Sequence, residues 1–509
     1  MQTIKASELR SRLKGIDEIA LIDVREEGAF SKSHIFLGSC IPLSRIEFRV
    51  KTMIPRRRTS IVVTDGGPDD KGLAAKAARR LVEMGYENVA ILEGGTRGWE
   101  AAGFEIFSGV NVPSKAFGEF VERYYDTPRI AASDLASRRA AGEEIVILDS
   151  RPMDEFHRMS IPGGVDCPGA ELVYRVGKMA PKPSTTVIVN CAGRTRSIIG
   201  AQSLINAGIP NKVMALKDGT MGWELAGLTC ARGQAEHAPA PEGETLERAV
   251  AGAQAVARRF GVRFTTPAEL ADWQNQADRT TLLLDVRTIQ EYEAGHWPGA
   301  CHAPGGQLVQ ATDEYVCVRN ARIVLADNPD GVRATMTASW LTQLGHAHVY
   351  VLAELPTYPV TGRPEMLPAL FKPFANIVKA SELRRILGTQ DDVTVIDFAD
   401  SPTFKKGHIP GAQWAVRARL DEWVGKIPAV KPVVLTSPNG LLAHFAAAEL
   451  SAARPDLEIH VLDGGTEEWI RGSGALEDGI KGNALTDKND VWWKPYESEG
   501  PVRDAMEAY

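Results

Sequence analysis

Along this chain, short apolar runs bounded by charge, glycine or proline alternate with longer segments that carry apolar residues at helical spacing. Four of the runs, 60–64, 186–190, 322–326 and 432–436, do not alternate apolar with polar residues. Uninterrupted apolar character predicts strands buried on both faces, as in a parallel sheet covered by helices. In such sheets the loops beyond the carboxyl ends of the strands carry the site.

The pattern is repeated at the scale of whole domains. Four openings align: Leu21-Ile22-Asp23-Val24-Arg25, Ile147-Leu148-Asp149-Ser150-Arg151, Leu283-Leu284-Asp285-Val286-Arg287 and Val395-Ile396-Asp397-Phe398-Ala399. Seven residues after each aspartate stands an aromatic (Phe30, Phe156, Tyr292, Phe404), and four further on come His34, Ser160, His296 and His408. The copies close on Gly94 to Trp99, Asp218 to Trp223, Glu354 to Tyr358 and Asp463 to Trp469. The aspartates are 126, 136 and 112 residues apart, too long for a solenoid repeat and right for domains. Between copies, 111–125 reads as structured, whereas 234–245 is rich in Ala, Pro, Glu and Gly and predicts a flexible tether before a helix over 246–260. The tail carries Trp492, Trp493 and Tyr496, too aromatic for a disordered end, and is expected to pack across a repeat interface.

Composition narrows the picture. With 509 residues and 44% apolar content, each of several domains has enough material for a core. A net charge of -7 with interspersed signs argues against nucleic acid as the main partner. No apolar run approaches the roughly 18 residues of a membrane span, and the mixed, polar first ten residues do not resemble a signal peptide. The six cysteines form no CxxC pair, so neither a disulfide framework nor a zinc site is expected, and a cytoplasmic location fits best.

The chemistry gathers at Asn190-Cys191-Ala192-Gly193-Arg194-Thr195-Arg196-Ser197. Cys191 ends an apolar strand and precedes a helix expected over 197–207, and it is the one cysteine at this point of the four copies. The N-terminal N–H groups and dipole of that helix, with two guanidiniums nearby, favour the thiolate, the form that attacks sulfur or phosphorus. Asp149 and Arg151 recur in copies without the cysteine, so a structural ion pair is the better reading for them. His34, His296 and His408 have no counterpart in the cysteine copy, where Ser160 stands, and are expected to fix loops by hydrogen bonding. Trp223 is expected to plug the base of its domain, and Cys167 is a candidate resolving thiol without a spacing signature.

The openings, the Gly407-His408-Ile409-Pro410-Gly411-Ala412 run, the strand-cysteine-loop-helix and the Gly-Gly-x-x-x-Trp close resemble rhodanese domains. The whole chain is similar to a tandem four-rhodanese sulfurtransferase. The resemblance implies an α/β fold of four tandem rhodanese-like domains, each a small central parallel β-sheet flanked by helices. Their expected extents are 1–110, 128–232, 263–364 and 374–476, followed by the aromatic tail 477–509. It places the nucleophile at Cys191 and aligns Asp65, Asp327 and Ser437 with it. A carboxylate cannot accept sulfane sulfur and repels an anionic donor, and a serine cannot hold a persulfide. The first, third and fourth domains are therefore expected to be inactive.

The resemblance further implies a cysteine that cycles between thiolate and persulfide, with no cofactor and no metal. Ala192, Gly193, Arg194, Thr195, Arg196 and Ser197 are expected to bind the substrate, their N–H groups cradling an anion and the two arginines holding sulfonate-like oxygens. Thiosulfate or another sulfane donor is the implied source. Cyanide or a thiol, a protein thiol included, is the implied acceptor, with neither nucleic acid nor membrane as partner. Two alternatives stay open at this stage. One is a sulfur carrier or scaffold whose modules dock partners; the other is a cysteine-dependent phosphatase or arsenate reductase, disfavoured because Arg196 stands five residues after Cys191 where that class has six.

Overall fold

The computed structural model describes all residues except 354–357, 365–366, 390–392, 429–431, 498–500 and 509. Most of the third closing motif, Glu354 to Tyr358, thus lies outside the described residues. Each of the four units is a parallel sheet whose five strands lie in the order first-fifth-fourth-second-third. The fourth strands, Ser60–Thr64, Thr186–Asn190, Arg322–Ala326 and Val433–Thr436, run through the middle and are buried on both faces, as their unbroken apolar runs require. Register carries the opening motif to the site: Asp149 pairs with Asn190, and Asp23, Asp285 and Asp397 pair with Thr64, Ala326 and Thr436. Every opening aspartate therefore sits beside the end of the central strand.

The units are not independent beads. Val318–Arg319 of the third unit pairs antiparallel with Ile19 and Ala20 of the first, adding a sixth strand to that sheet. One apolar core runs from Ile22 and Ile61 of the first unit to Leu282 and Leu325 of the third. A second joins Leu172 and Leu204 of the second unit to Met336 and Trp340 of the third, with Ala253 and Val256 of the connecting helix Glu244–Phe260 between them. The fourth unit grips the first through Arg417, whose buried guanidinium donates to Glu47 at 2.8 and 2.9 Å, Glu449 at 2.6 and 3.0 Å and the Ser44 carbonyl at 3.1 Å.

The 111–125 segment is a helix, Val112–Tyr125. The expected tether over 234–245 is instead pinned to the second unit. Asp166 N–H donates to the Glu236 carbonyl, Ala238 N–H to the Asp166 carbonyl and Arg175 to the Ala238 carbonyl, at 2.9, 2.9 and 2.7 Å. In these contacts the segment offers backbone groups, and the His237 ring adds Nδ1 to Asp166 at 2.6 Å, partners that a side-chain composition typical of linkers could not reveal. The following helix begins at Glu244, two residues before the expected start.

Replacing Arg417 with Met leaves the buried Glu47 and the half-buried Glu449 with Arg80 as their remaining shared cation, and the expected cost is about 1.5–3 kcal/mol. A lower urea midpoint for the first unfolding transition is the expected readout; an unchanged midpoint would show that the two carboxylates find other partners.

Candidate active site

The strand Thr186–Asn190 delivers Cys191 to a short loop that ends at Arg194, the N-cap of the helix Thr195–Asn206. The helix starts two residues before its expected position, so Arg196 lies in its first turn rather than in a loop. The Arg194 carbonyl already accepts from Ile198 N–H at 3.1 Å and from the Ser197 hydroxyl at 2.8 Å, which closes that turn early. Cys191 is 2% exposed.

Two fixtures hold the loop. From the sheet side, Arg151 donates Nε and Nη2 to the Asp149 carboxylate at 2.8 Å each and Nη2 also to the Met159 carbonyl at 2.5 Å. Asn190 Nδ2 donates to the same carboxylate at 2.6 Å, and the Ser150 hydroxyl donates to the Asn190 carbonyl at 2.8 Å. From the other side, the closing motif lays a helix start, Gly219–Leu225, under the loop. Thr220 N–H donates to the Cys191 carbonyl at 2.9 Å and Met221 N–H to the Ala192 carbonyl at 3.1 Å. Gly219, at φ +55°, fits because it lacks a Cβ, which would stand 2.2 Å from the Cys191 oxygen.

The two arginines part company. Arg194 points to the helix Val112–Tyr125, with Nη1 3.0 Å from Glu119 and Nη2 2.8 Å from Glu122. Arg196 turns inward and donates Nη1 and Nη2 to the two oxygens of Glu155, at 3.0 and 2.8 Å. Burial alone would raise the Glu155 carboxyl, but Arg196 and then Lys494 and Arg151 hold it down at about 2. Lys494 of the tail lies 3.3 Å from the same carboxylate.

Ala192 and Arg196 open onto a chamber of about 320 Å³. Its walls come from the second unit (Glu155, Met221), the helix Val112–Tyr125 (Lys115), the first unit (Glu27), the third (Gln307, Gln310, Glu314, Tyr315) and the tail (Trp492, Lys494, Tyr496). Cys167 is elsewhere, packed in the apolar core, and burial followed by the Glu171 charge pushes its thiol well above the ordinary range. It therefore stays protonated and is a poor resolving thiol. Trp223 is buried against Ile130, Leu135 and Leu216 of its unit and donates Nε1 to the Thr229 carbonyl at 3.2 Å.

At the matching position of the other units the side chain occupies the helix N-terminus itself. Asp65 accepts from Gly67 N–H at 2.9 Å and Ala74 N–H at 3.0 Å. Asp327 accepts from Asn328 N–H at 2.7 Å, Ala334 N–H at 2.9 Å and Arg333 Nε at 2.9 Å. Ser437 Oγ accepts from Ala443 N–H at 3.3 Å. His34, His296 and His408 each stack on the aromatic of their motif, at 4.0, 3.9 and 3.8 Å between centroids, and bond through Nδ1 to its carbonyl oxygen.

Sequence reasoning missed the place of Glu155, Lys494 and Tyr496 at this site and the close approach that Gly219 permits. One signal was available. Glu155 stands six residues after Asp149 as Glu291 does after Asp285, and Arg333 grips Glu291 at 2.7 and 3.0 Å as Arg196 grips Glu155. A paired charge conserved between two copies of the frame marks partners across the loop.

Comparison with known proteins agrees with this architecture. The rhodanese-like domain model matches residues 5–102, 131–226, 266–354 and 379–471. A thiosulfate sulfurtransferase of Pseudomonas aeruginosa, solved by crystallography, superposes with a TM-score of 0.95 at 46% identity, covering 100% of this chain and 96% of that one. The thiosulfate sulfurtransferase GlpE of Pseudomonas fluorescens is 30% identical over 80 residues, 16% of this chain and 72% of that protein. An HTH-type transcriptional regulator of Mycobacterium tuberculosis is 31% identical over 99 residues, 19% of this chain, and the match spans only 42% of the regulator's length. The chain belongs to the rhodanese family and carries four rhodanese-like domains in one polypeptide.

Proposed function

We propose that this rhodanese is a thiosulfate sulfurtransferase working through a persulfide on Cys191. The observation that carries the reading is the contrast among the four strand ends. Cys191 alone brings a thiol there, while Asp65, Asp327 and Ser437 spend their side chains on their own helix N–H groups. The activity of the Pseudomonas aeruginosa protein, similar over the full chain, supports the same conclusion.

The chemistry balances without a cofactor. The Cys191 thiolate attacks the outer sulfur of thiosulfate, a new S–S bond forms, and the bond to the sulfonate sulfur breaks with its electron pair to release sulfite. Cyanide or a thiolate then attacks the terminal persulfide sulfur, leaving as thiocyanate or as a persulfide, and the Cys191 thiolate returns. The scheme is ping-pong. The loop N–H groups at the helix start and Arg196 supply positive potential toward the reacting sulfur, and Asp149, Arg151 and Asn190 serve as the structural bolt that holds the strand end.

Two features separate this reading from its rivals. Arg196 stands five residues after Cys191 and Ser197 occupies the sixth place, where the phosphatase class carries its arginine, which speaks against phosphatase chemistry. The inactive third unit engages this chain itself, Arg333 donating to Glu171 of the second unit at 3.0 Å, which gives it a role without an external docking partner.

Cys191→Ser is expected to abolish thiosulfate:cyanide activity with the fold intact, and intact mass after thiosulfate treatment should show one added sulfur atom in the wild type and none in the variant. Activity near wild type in Cys191→Ser would remove the assignment. Gly219→Ala should displace the Cys191 carbonyl and lower kcat/KM by about a hundredfold while circular dichroism is unchanged. Normal turnover in that variant would mean that the loop tolerates the shift. Arg196→Ala is expected to reduce kcat/KM at least about tenfold, and Arg194→Ala, whose ion pairs are half-exposed, by no more than about threefold. Steady-state kinetics in thiosulfate checks both; equal losses would show that Arg194 also reaches the donor.

A further inference from the structure

We propose that the C-terminal tail is part of the sulfur-donor site, with Tyr496 Oη and Lys494 Nζ binding the anionic end of the donor in the chamber beside Cys191. The proposal rests on the sulfurtransferase reading and adds to it residues that lie some 300 positions away in sequence.

The tail is anchored on both sides of the chamber. Upstream, the Asp490 carboxylate accepts from Ser401 N–H at 2.7 Å and from the Ser401 hydroxyl at 2.6 Å in the fourth unit. The chain then presses on Gly28 of the first unit, where a Cβ would stand 2.5 Å from the Asn489 carbonyl oxygen, and Trp492 N–H donates to Glu27 at 3.3 Å. Downstream, the Tyr496 ring packs against the core of the second unit and Glu497 pairs with Arg158. Between these anchors Lys494 and Tyr496 line the chamber together with Ala192 and Arg196.

What the tail presents there is suited to an anion. Arg196 and Lys494 share the single carboxylate of Glu155, which leaves one positive charge over on this wall. Glu27 and Glu314 also line the chamber, where burial raises both carboxyls, and Lys115 adds a further cation to its lining. The Tyr496 hydroxyl is buried and has no hydrogen-bond partner among the described residues. Burial followed by the Glu155 charge raises its pKa, so it stays a proton donor. A buried donor without an acceptor is costly, and in an active-site chamber the missing acceptor is expected to come from the ligand. A sulfonate oxygen of thiosulfate has the required chemistry: it accepts one hydrogen bond from the phenol and balances the surplus charge at Lys494 and Arg196.

The test uses the full chain and thiosulfate. Tyr496→Phe keeps the ring that packs on the second unit and removes only the donor. It should raise KM for thiosulfate about tenfold, in line with a hydrogen bond to a charged group, with kcat within about twofold. Discharge of preloaded persulfide by cyanide should be unchanged. Lys494→Gln should raise KM about threefold or more and flatten its salt dependence. Calorimetric binding of thiosulfate to Cys191→Ser, with and without Tyr496→Phe, reads the site without any transfer, and the double variant should bind about tenfold more weakly. Wild-type KM and unchanged binding in Tyr496→Phe would overturn the proposal, as would equal loss of loading and discharge, which marks a mere brace. Tail-dependent binding in a chain that never takes up sulfur would instead defeat the Cys191 persulfide alone.

Discussion

A strand that ends in a reactive residue leaves its last carbonyls pointing into a crowded corner, and those carbonyls must find donors. In this chain they find the first N–H groups of the helix that follows the fifth strand. Thr96, Thr220 and Thr466 donate to the carbonyls of Asp65, Cys191 and Ser437, at 2.7, 2.9 and 3.0 Å. The glycine before each threonine, Gly95, Gly219 and Gly465, lets the helix start come close enough, since a Cβ there would fall within 2.6 Å of the strand-end carbonyl. In the third unit the Tyr358 hydroxyl donates to the Asp327 carbonyl at 2.6 Å. The Cys191 loop is held by this contact on one side and by the Asp149, Arg151 and Asn190 bonds on the other.

The same corner explains why three units keep the fold with Asp65, Asp327 or Ser437 in place of a cysteine. A helix N-terminus at a strand end attracts negative charge whether a substrate or a side chain brings it. Asp65 and Asp327 fill that demand from within the chain. At Asp327 burial raises the carboxyl to about 6 against the pull of Arg333, so the site is satisfied only because three donors converge on it. On the proposed reading, Cys191 leaves the demand open for an anion that arrives and departs. At Asp65 and Asp327 the anion that a helix N-terminus attracts is supplied by the chain itself.

Much of this was legible in the sequence because the governing signals were periodic. The central strands appear as unbroken apolar runs, and three of the four, those beginning at Ser60, Thr186 and Arg322, have the expected ends. Cys191 was visible because four copies could be laid over one another, and the three histidines showed their loop-fixing role by recurring without the cysteine. What stayed hidden depends on contacts between residues far apart in the sequence. Arg194 and Arg196 read as equivalent neighbours, yet a helix start at Thr195 sends one to Glu119 and Glu122 and the other to Glu155. Lys494 and Tyr496 reach the second unit along a tail that Gly28 and Ser401 help to hold. The pinned 234–245 segment was hidden for a different reason: backbone groups of Glu236 and Ala238 make much of the attachment, with His237 on Asp166, and composition does not describe which partner each group meets.

The strand Val318–Arg319 has a consequence in time rather than in space. It covers Ile19 and Ala20 of the first sheet from about 300 residues downstream. A ribosome adding roughly 5–20 residues per second takes on the order of 15–60 s to cover that distance. Through that interval the first unit carries an unpaired stretch of strand edge, and open edges recruit other chains. The nascent chain is therefore most prone to wrong pairing after its first domain has emerged and before its third is complete, and shielding by a chaperone matters most in that window.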